Sequence, residues 1–203
     1  MRMENFYILG GTNPSSVASA FAPEEIRKMG CGDLIESIES ASELPFDFTL
    51  VKLTSSKKGL VKNSDLTGLT TIWLDFQPNS QAWPLFSLQL KKIIDGHLTG
   101  KEGLSWVSAT IRGHNEEQVY YIPMFDRLLD VLDMDKTMFV SGTDAIIKPV
   151  FSWAKIKDYS VIHKPNYRNL WKIPSGFYVN EKIKKAVQKE GISGVIFEKT
   201  SVI

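Results

Sequence analysis

Two distant stretches of this chain follow one pattern, and that pattern limits the folds open to it. Ser87, Leu90, Lys91, Lys92, Ile93 and Ile94 are echoed at identical spacing by Asn180, Ile183, Lys184, Lys185, Ala186 and Val187. In each, a residue whose side chain can accept from the free amides of a helix start stands three positions before an apolar residue. Two lysines and two further apolar residues follow. Apolar positions at i, i+3 and i+4 form a single stripe on a helix and leave the lysines on the other side. The spacing predicts helices over 87–98 and 180–190. Gly191 suits the left-handed residue that ends the second one. A strand-like run precedes each helix, at Trp83 to Phe86 and at Gly176 to Val179. Another follows each, at Trp106 to Ile111 and at Gly194 to Glu198. The chain therefore reads as one strand–helix–strand unit used twice.

The remaining segments read mostly as strands. Phe6 to Leu9 is a first strand closed by Gly10, Gly11 and an Asn13-Pro14 turn, and a short helix follows Pro23. Phe48 to Leu53 and Leu69 to Phe76 read as strands around a polar loop or hairpin at 55–68. A hairpin joins Trp106 to Ile111 with Val119 to Phe125 through a polar turn that contains His114. Further strands are expected within Met138 to Val150, at Tyr159 to His163 and at Leu170 to Ile173. Strands outnumber helices, and few helices stand where parallel crossovers would need them. The expected fold is α+β, a mixed and largely antiparallel sheet with a few packed helices. The 203 residues divide into an N-terminal segment, 1–68, packed on a region spanning 69–203, in one compact domain overall.

Composition narrows the function classes. The net charge of +1 gives no global attraction to nucleic acid or anionic lipid, so neither is expected as a partner. No apolar run approaches a membrane span. Cys31 is the single cysteine, so no intrachain disulfide can form, and no apolar signal segment follows Met1. A cytoplasmic location is expected.

Catalytic signatures were sought at each candidate. The loop from Gly10 to Ser16 follows a strand but lacks the lysine and the spacing of a phosphate-binding loop, and reads as a turn. His97, His114 and His163 are dispersed, without a second ligand at metal spacing. Cys31 lies between two glycines and reads as a small structural residue. The five tryptophans read mostly as core. No cofactor, no metal and no catalytic residue is expected. The densest acidic run is Asp126, Asp130, Asp133 and Asp135, interleaved with Leu128, Leu129, Val131 and Leu132. Its plainer reading is a solvated edge beside a buried stripe. Its functional reading is a carboxylate cluster for a divalent cation or, in preference to that, an acidic surface for a basic partner.

The tail from Gly176 to Phe197 pairs a strand and a capped helix with a Gly-x-x-Gly-x-x-Phe ending at Gly191, Gly194 and Phe197. It resembles the closing segment of a family of bacterial immunity proteins from polymorphic toxin systems, long classed as a domain of unknown function. Pro84 to Ser87 with its helix, and Tyr120 to Asp126 running into Asp133, are similar to that family as well. The resemblance spans roughly residues 69–199. It implies a non-enzymatic protein that binds a cognate toxin domain and blocks it. The resemblance does not identify the contact residues; the charge of Asp126, Asp130, Asp133 and Asp135 makes them the first candidates if the toxin is basic. The alternative is a small cytosolic hydrolase or transferase using the carboxylates around Asp130 to Asp135.

Overall fold

A computed structural model describes residues 4–12, 17–56, 59–113, 115–166 and 168–203. In chain order its elements are β1 (Phe6–Gly11), β2 (Ser19–Phe21), α1 (Glu24–Lys28), α2 (Cys31–Ile38), β3 (Phe48–Ser56), β4 (Gly59–Asn63), α3 (Leu88–Asp95), β5 (Leu104–Arg112) and β6 (Glu117–Phe125). Then come β7 (Met138–Phe139), β8 (Ile146–Lys148), β9 (Val150–Phe151), α4 (Trp153–Ile156), β10 (Val161–His163), β11 (Phe177–Asn180), α5 (Glu181–Lys189), β12 (Val195–Lys199) and β13 (Ser201–Val202). This is the α+β arrangement expected from the sequence, with antiparallel and mixed sheets.

The repeated unit takes a definite form. β11 and β12 both pair antiparallel with β1, which stands between them in the order β10-β11-β1-β12. The two strands of the second unit are thus separated by a strand from the other end of the chain. The first unit is split in the same way. Phe86 exchanges hydrogen bonds with Tyr121 of β6, 2.9 Å and 2.8 Å, and β6 pairs antiparallel with β5. So β6 stands between the Phe86 stretch and β5 as β1 stands between β11 and β12.

Both helices begin as the capping residues predict. The Ser87 side chain accepts from the Leu90 amide at 3.2 Å and the Asn180 side chain from the Ile183 amide at 3.1 Å. The helices are shorter than expected and pack against one another. They bury Leu90, Ile94, Ile183 and Val187 in a core with Phe6, Leu9, Phe86 and Phe177. Burying each such side chain contributes on the order of 1.5–3 kcal/mol. A second core lies around α2, where Leu34, Ile35 and Ile38 meet Phe48 and Leu50 of β3. The β5–β6 hairpin is the wall between the two. Val107, Ala109, Tyr120 and Ile122 face the α2 core, whereas Trp106 and Phe125 pack on the α3–α5 side.

Three expectations are corrected. Leu69 to Phe76 forms no strand; only Thr71 and Phe76 make isolated bridges. Side chains take over the ladder's role there. Leu74 N–H donates to Gln77 Oε1 at 2.9 Å, Asp75 N–H to Ser193 Oγ at 3.0 Å, and the Tyr120 hydroxyl to Leu74 O at 2.8 Å. Leu170 to Ile173 is likewise a turn, closed by Lys172 N–H on Asn169 O, and its apolar residues plug the cores from a loop. Trp153 opens α4 rather than standing in a strand, although, as expected of the tryptophans, Trp83 is buried and the other four pack partly buried against the two cores. Two of the partly buried indoles donate to carboxylates, Trp106 to Asp95 and Trp73 to Glu116.

Candidate functional site

The acidic run occupies the irregular segment between β6 and β7, and apolar anchors fix it. Leu129, Val131 and Leu132 are buried in the α3–α5 core. Ser152 N–H donates to Val131 O at 2.9 Å, and Leu132 bridges Phe151. Leu129 N–H donates to Nε2 of His163 at 3.2 Å. With its backbone held from beneath, the segment turns its carboxylates outward.

The four aspartates do not converge. Asp126 binds Arg127 at 2.7 Å and lines a hollow shared with Glu102 and Gly103. Hydrogen bonding to Arg127 holds the Asp126 carboxyl below the usual range. Asp130 pairs with Lys155 at 2.7 Å, and Lys155 also donates to Leu132 O. Asp133 accepts the Lys136 amide at 3.0 Å and shapes a turn. Asp135 is exposed and makes no ion pair.

Of the four, only Asp130 lines the apolar groove beside this segment. That groove encloses about 530 Å³ between Leu128, Val131, Met134, Phe139 and Ile146. Asp144 joins it from beyond β7, a partner that spacing along the chain could not reveal. At its rim Leu128 is 55% exposed and Met134 62%, and Met138, Val140 and Ile147 are exposed elsewhere on the 138–148 stretch. Exposed apolar side chains at a groove mark interaction surfaces in many proteins. Methionines let such a surface adapt to what it meets.

The remaining candidates have structural surroundings. His97 sits just past α3, its Nδ1 2.8 Å from Ile93 O. His163 is fully buried between Phe125 and Trp171, and burial lowers its pKa. His114 and residues 13–16 of the glycine-rich loop lie outside the described residues. Cys31 opens α2 and is exposed. No three His, Cys, Asp or Glu side chains among the described residues are arranged to hold a metal ion. No described helix is long and apolar enough to cross a membrane.

Two buried ionisable groups escaped the sequence reading. Burial pushes the Glu102 carboxyl up, but the amides of Ser160 and Thr99, at 2.9 Å and 3.1 Å, outweigh it and hold the group below its ordinary value. Tyr178 is pushed up to about 12 by burial and by the charge of Glu198. Glu102 ties the loop after α3 to the start of β10.

The chain matches no protein-family model and no curated protein. What the groove can do therefore follows from its own chemistry. It can bury an apolar anchor while Asp130, Asp144 and Arg168 offer charge of both signs at the lining.

Proposed function

We propose that this protein is an immunity protein, a non-catalytic cytoplasmic binder that neutralises a cognate bacterial toxin domain. The observation that carries this reading is the apolar groove between Leu128 and Ile146 with its neighbouring carboxylates. An apolar patch beside exposed charge is the composition of a protein-binding surface. The similarity of residues 84–94, 120–133 and 176–197 to immunity proteins supports the same reading. The partner it suits presents an apolar side chain flanked by lysines or arginines, as a basic nuclease domain would.

Co-expression tests the function directly. Bacteria producing the toxin domain encoded beside this protein survive only when the protein is present, and the two purify as a stoichiometric complex. Reversing Asp130 and Asp133 to lysine slows association more than it speeds dissociation, because these exposed carboxylates steer encounter. Leu128→Asp instead acts on dissociation. A non-toxic neighbour, or turnover of a small substrate by the purified protein, overturns the reading. Unchanged kinetics in the double reversal reject only the acidic contact.

A further inference from the structure

β12 is the last strand of its sheet, and its outer edge is open only from Val195 to Lys199, between the 74–76 segment bonded at Ser193 and β9 paired at Ser201. Its register with β1 is unbroken from Val195 to Lys199. Thr12 N–H donates to Gly194 O at one end of the ladder and Thr200 N–H to Phe6 O at the other. Antiparallel ladders alternate between residues that bond inward and residues that bond outward. Residues 194, 196, 198 and 200 therefore face β1. The N–H and C=O groups of Val195, Phe197 and Lys199 point away from the sheet, and no strand pairs with them.

The side chains of these same three residues stand on the face covered by α5, since they lie opposite Gly11, Leu9 and Tyr7. Between β12 and α5 runs a groove of about 440 Å³, lined by Val187, Ile192, Val195 and Phe197 with Lys184. It is apolar where Val187, Ile192 and Val195 meet. At the other end it is cationic. Lys184 lies 3.7 Å from the centre of the Tyr7 ring, and Lys199 stands directly across the ladder from Tyr7. Neither ammonium makes an ion pair among the described residues.

We infer that the β12 edge and the α5 groove together bind an extended segment of a partner protein, added antiparallel as a fifth strand, with an acidic residue at the Lys184–Lys199 end and apolar residues at the Val195 end. Main-chain bonds to Val195, Phe197 and Lys199 give such a segment its affinity, and alternate side chains entering the groove give it specificity. The two ends lie four residues apart along β12, so the segment carries its carboxylate four positions before its last apolar residue. Natural sheet edges are usually blunted by proline, bulges or covering loops. Here the strand is regular, carries no proline, and leaves Ile196 52% exposed. This inference does not depend on the immunity reading, for the edge lies apart from the groove between Leu128 and Ile146.

The test uses the full chain and a fluorescein-labelled, acetylated Glu-Thr-Val-Thr-Val peptide. Fluorescence anisotropy shows binding below about 1 mM, and hydrogen exchange slows at the amides of Val195, Phe197 and Lys199. The double variant Lys184→Glu/Lys199→Glu binds about tenfold more weakly, and recovers when the peptide glutamate is replaced by lysine. Phe197→Pro removes one outward N–H while leaving the bonds to β1 intact, and loses binding; Lys199→Pro does the same at a site with less packing. A peptide N-methylated on the amides that face β12 fails to bind the unaltered protein, which tests the edge without any variant. Absence of binding at about 1 mM, or equal binding of the N-methylated peptide, overturns the inference. So does a dimer, seen by light scattering and dissociated by Phe197→Pro, which would assign the edge to a second copy of the chain.

Discussion

His163 shows how a single side chain can govern behaviour in acid. Its Nε2 accepts the Leu129 amide at 3.2 Å with Arg127 O 3.3 Å away, and its Nδ1 is buried without a hydrogen-bond partner among the described residues. Protonation would remove that acceptor and place a charge between Phe125 and Trp171. Burial holds the folded-state pKa below the ordinary value of 6.5. The unfolded chain therefore takes up a proton as pH falls below that value, while the folded chain does not. The associated stability is complete at neutral pH and is lost progressively as pH falls toward the folded pKa. Glu102, also depressed, contributes stability that is lost only below its own ordinary value of 4.5. Thermal melts should thus show a first decline as pH falls below about 6.5 and a second as it falls below about 4.5. His163→Phe should abolish the first decline and cost about 1–3 kcal/mol at neutral pH, because the Leu129 amide is left buried without an acceptor. A first decline that survives the substitution would assign it elsewhere. None of this was legible in the sequence, where His163 is one dispersed histidine and nothing marks what surrounds it.

Among the elements, those whose cause is local were legible. Ser87 and Asn180 act within three residues of themselves, and both helices start where they predict. Asn180→Ala should cost on the order of 1 kcal/mol by chemical denaturation, and Ser87→Ala a similar amount. An Asn180→Ala protein as stable as the parent would show the cap to be idle. Gly194 has a different cause. Its φ is +74°, and an added Cβ would lie 2.7 Å from Phe76 O and 2.9 Å from Leu74 Cβ. Gly194→Ala should therefore destabilise by more than about 1 kcal/mol, through both the strained backbone and the displaced 74–76 segment. Leu69 to Phe76 was misread as a strand because its alternation is real while its backbone finds partners outside any ladder, the nearby side chain of Gln77 and the distant Ser193 among them. The acidic run was legible as an exposed edge on a buried stripe. The groove beside it was not, since Asp144 and Ile146 come to it from the far side of β7.

For the whole molecule, the decisive feature is β1 lying between β11 and β12. Strand 6–11 bonds to residues 178–180 on one side and 195–199 on the other. A central strand with both edges satisfied opens only when the sheet comes apart. The amides of Ile8 and Leu9 should therefore exchange with solvent only through global unfolding, with the slopes and free energy of the complete transition. Exchange of these amides through a smaller opening would mean that β1 can leave its slot alone. The slot also sets an order of events on the ribosome. By the time residues 177–199 have been translated, the strand at 6–11 has long since emerged, and it has waited throughout with two apolar faces and no partners. Contacts separated by so much of the chain form slowly, because the loop must close before they repay its entropy. The newborn protein thus passes through an interval in which its first strand is exposed and its last sheet has a gap, when it is most open to capture by chaperones or to exchange of strands with a neighbour.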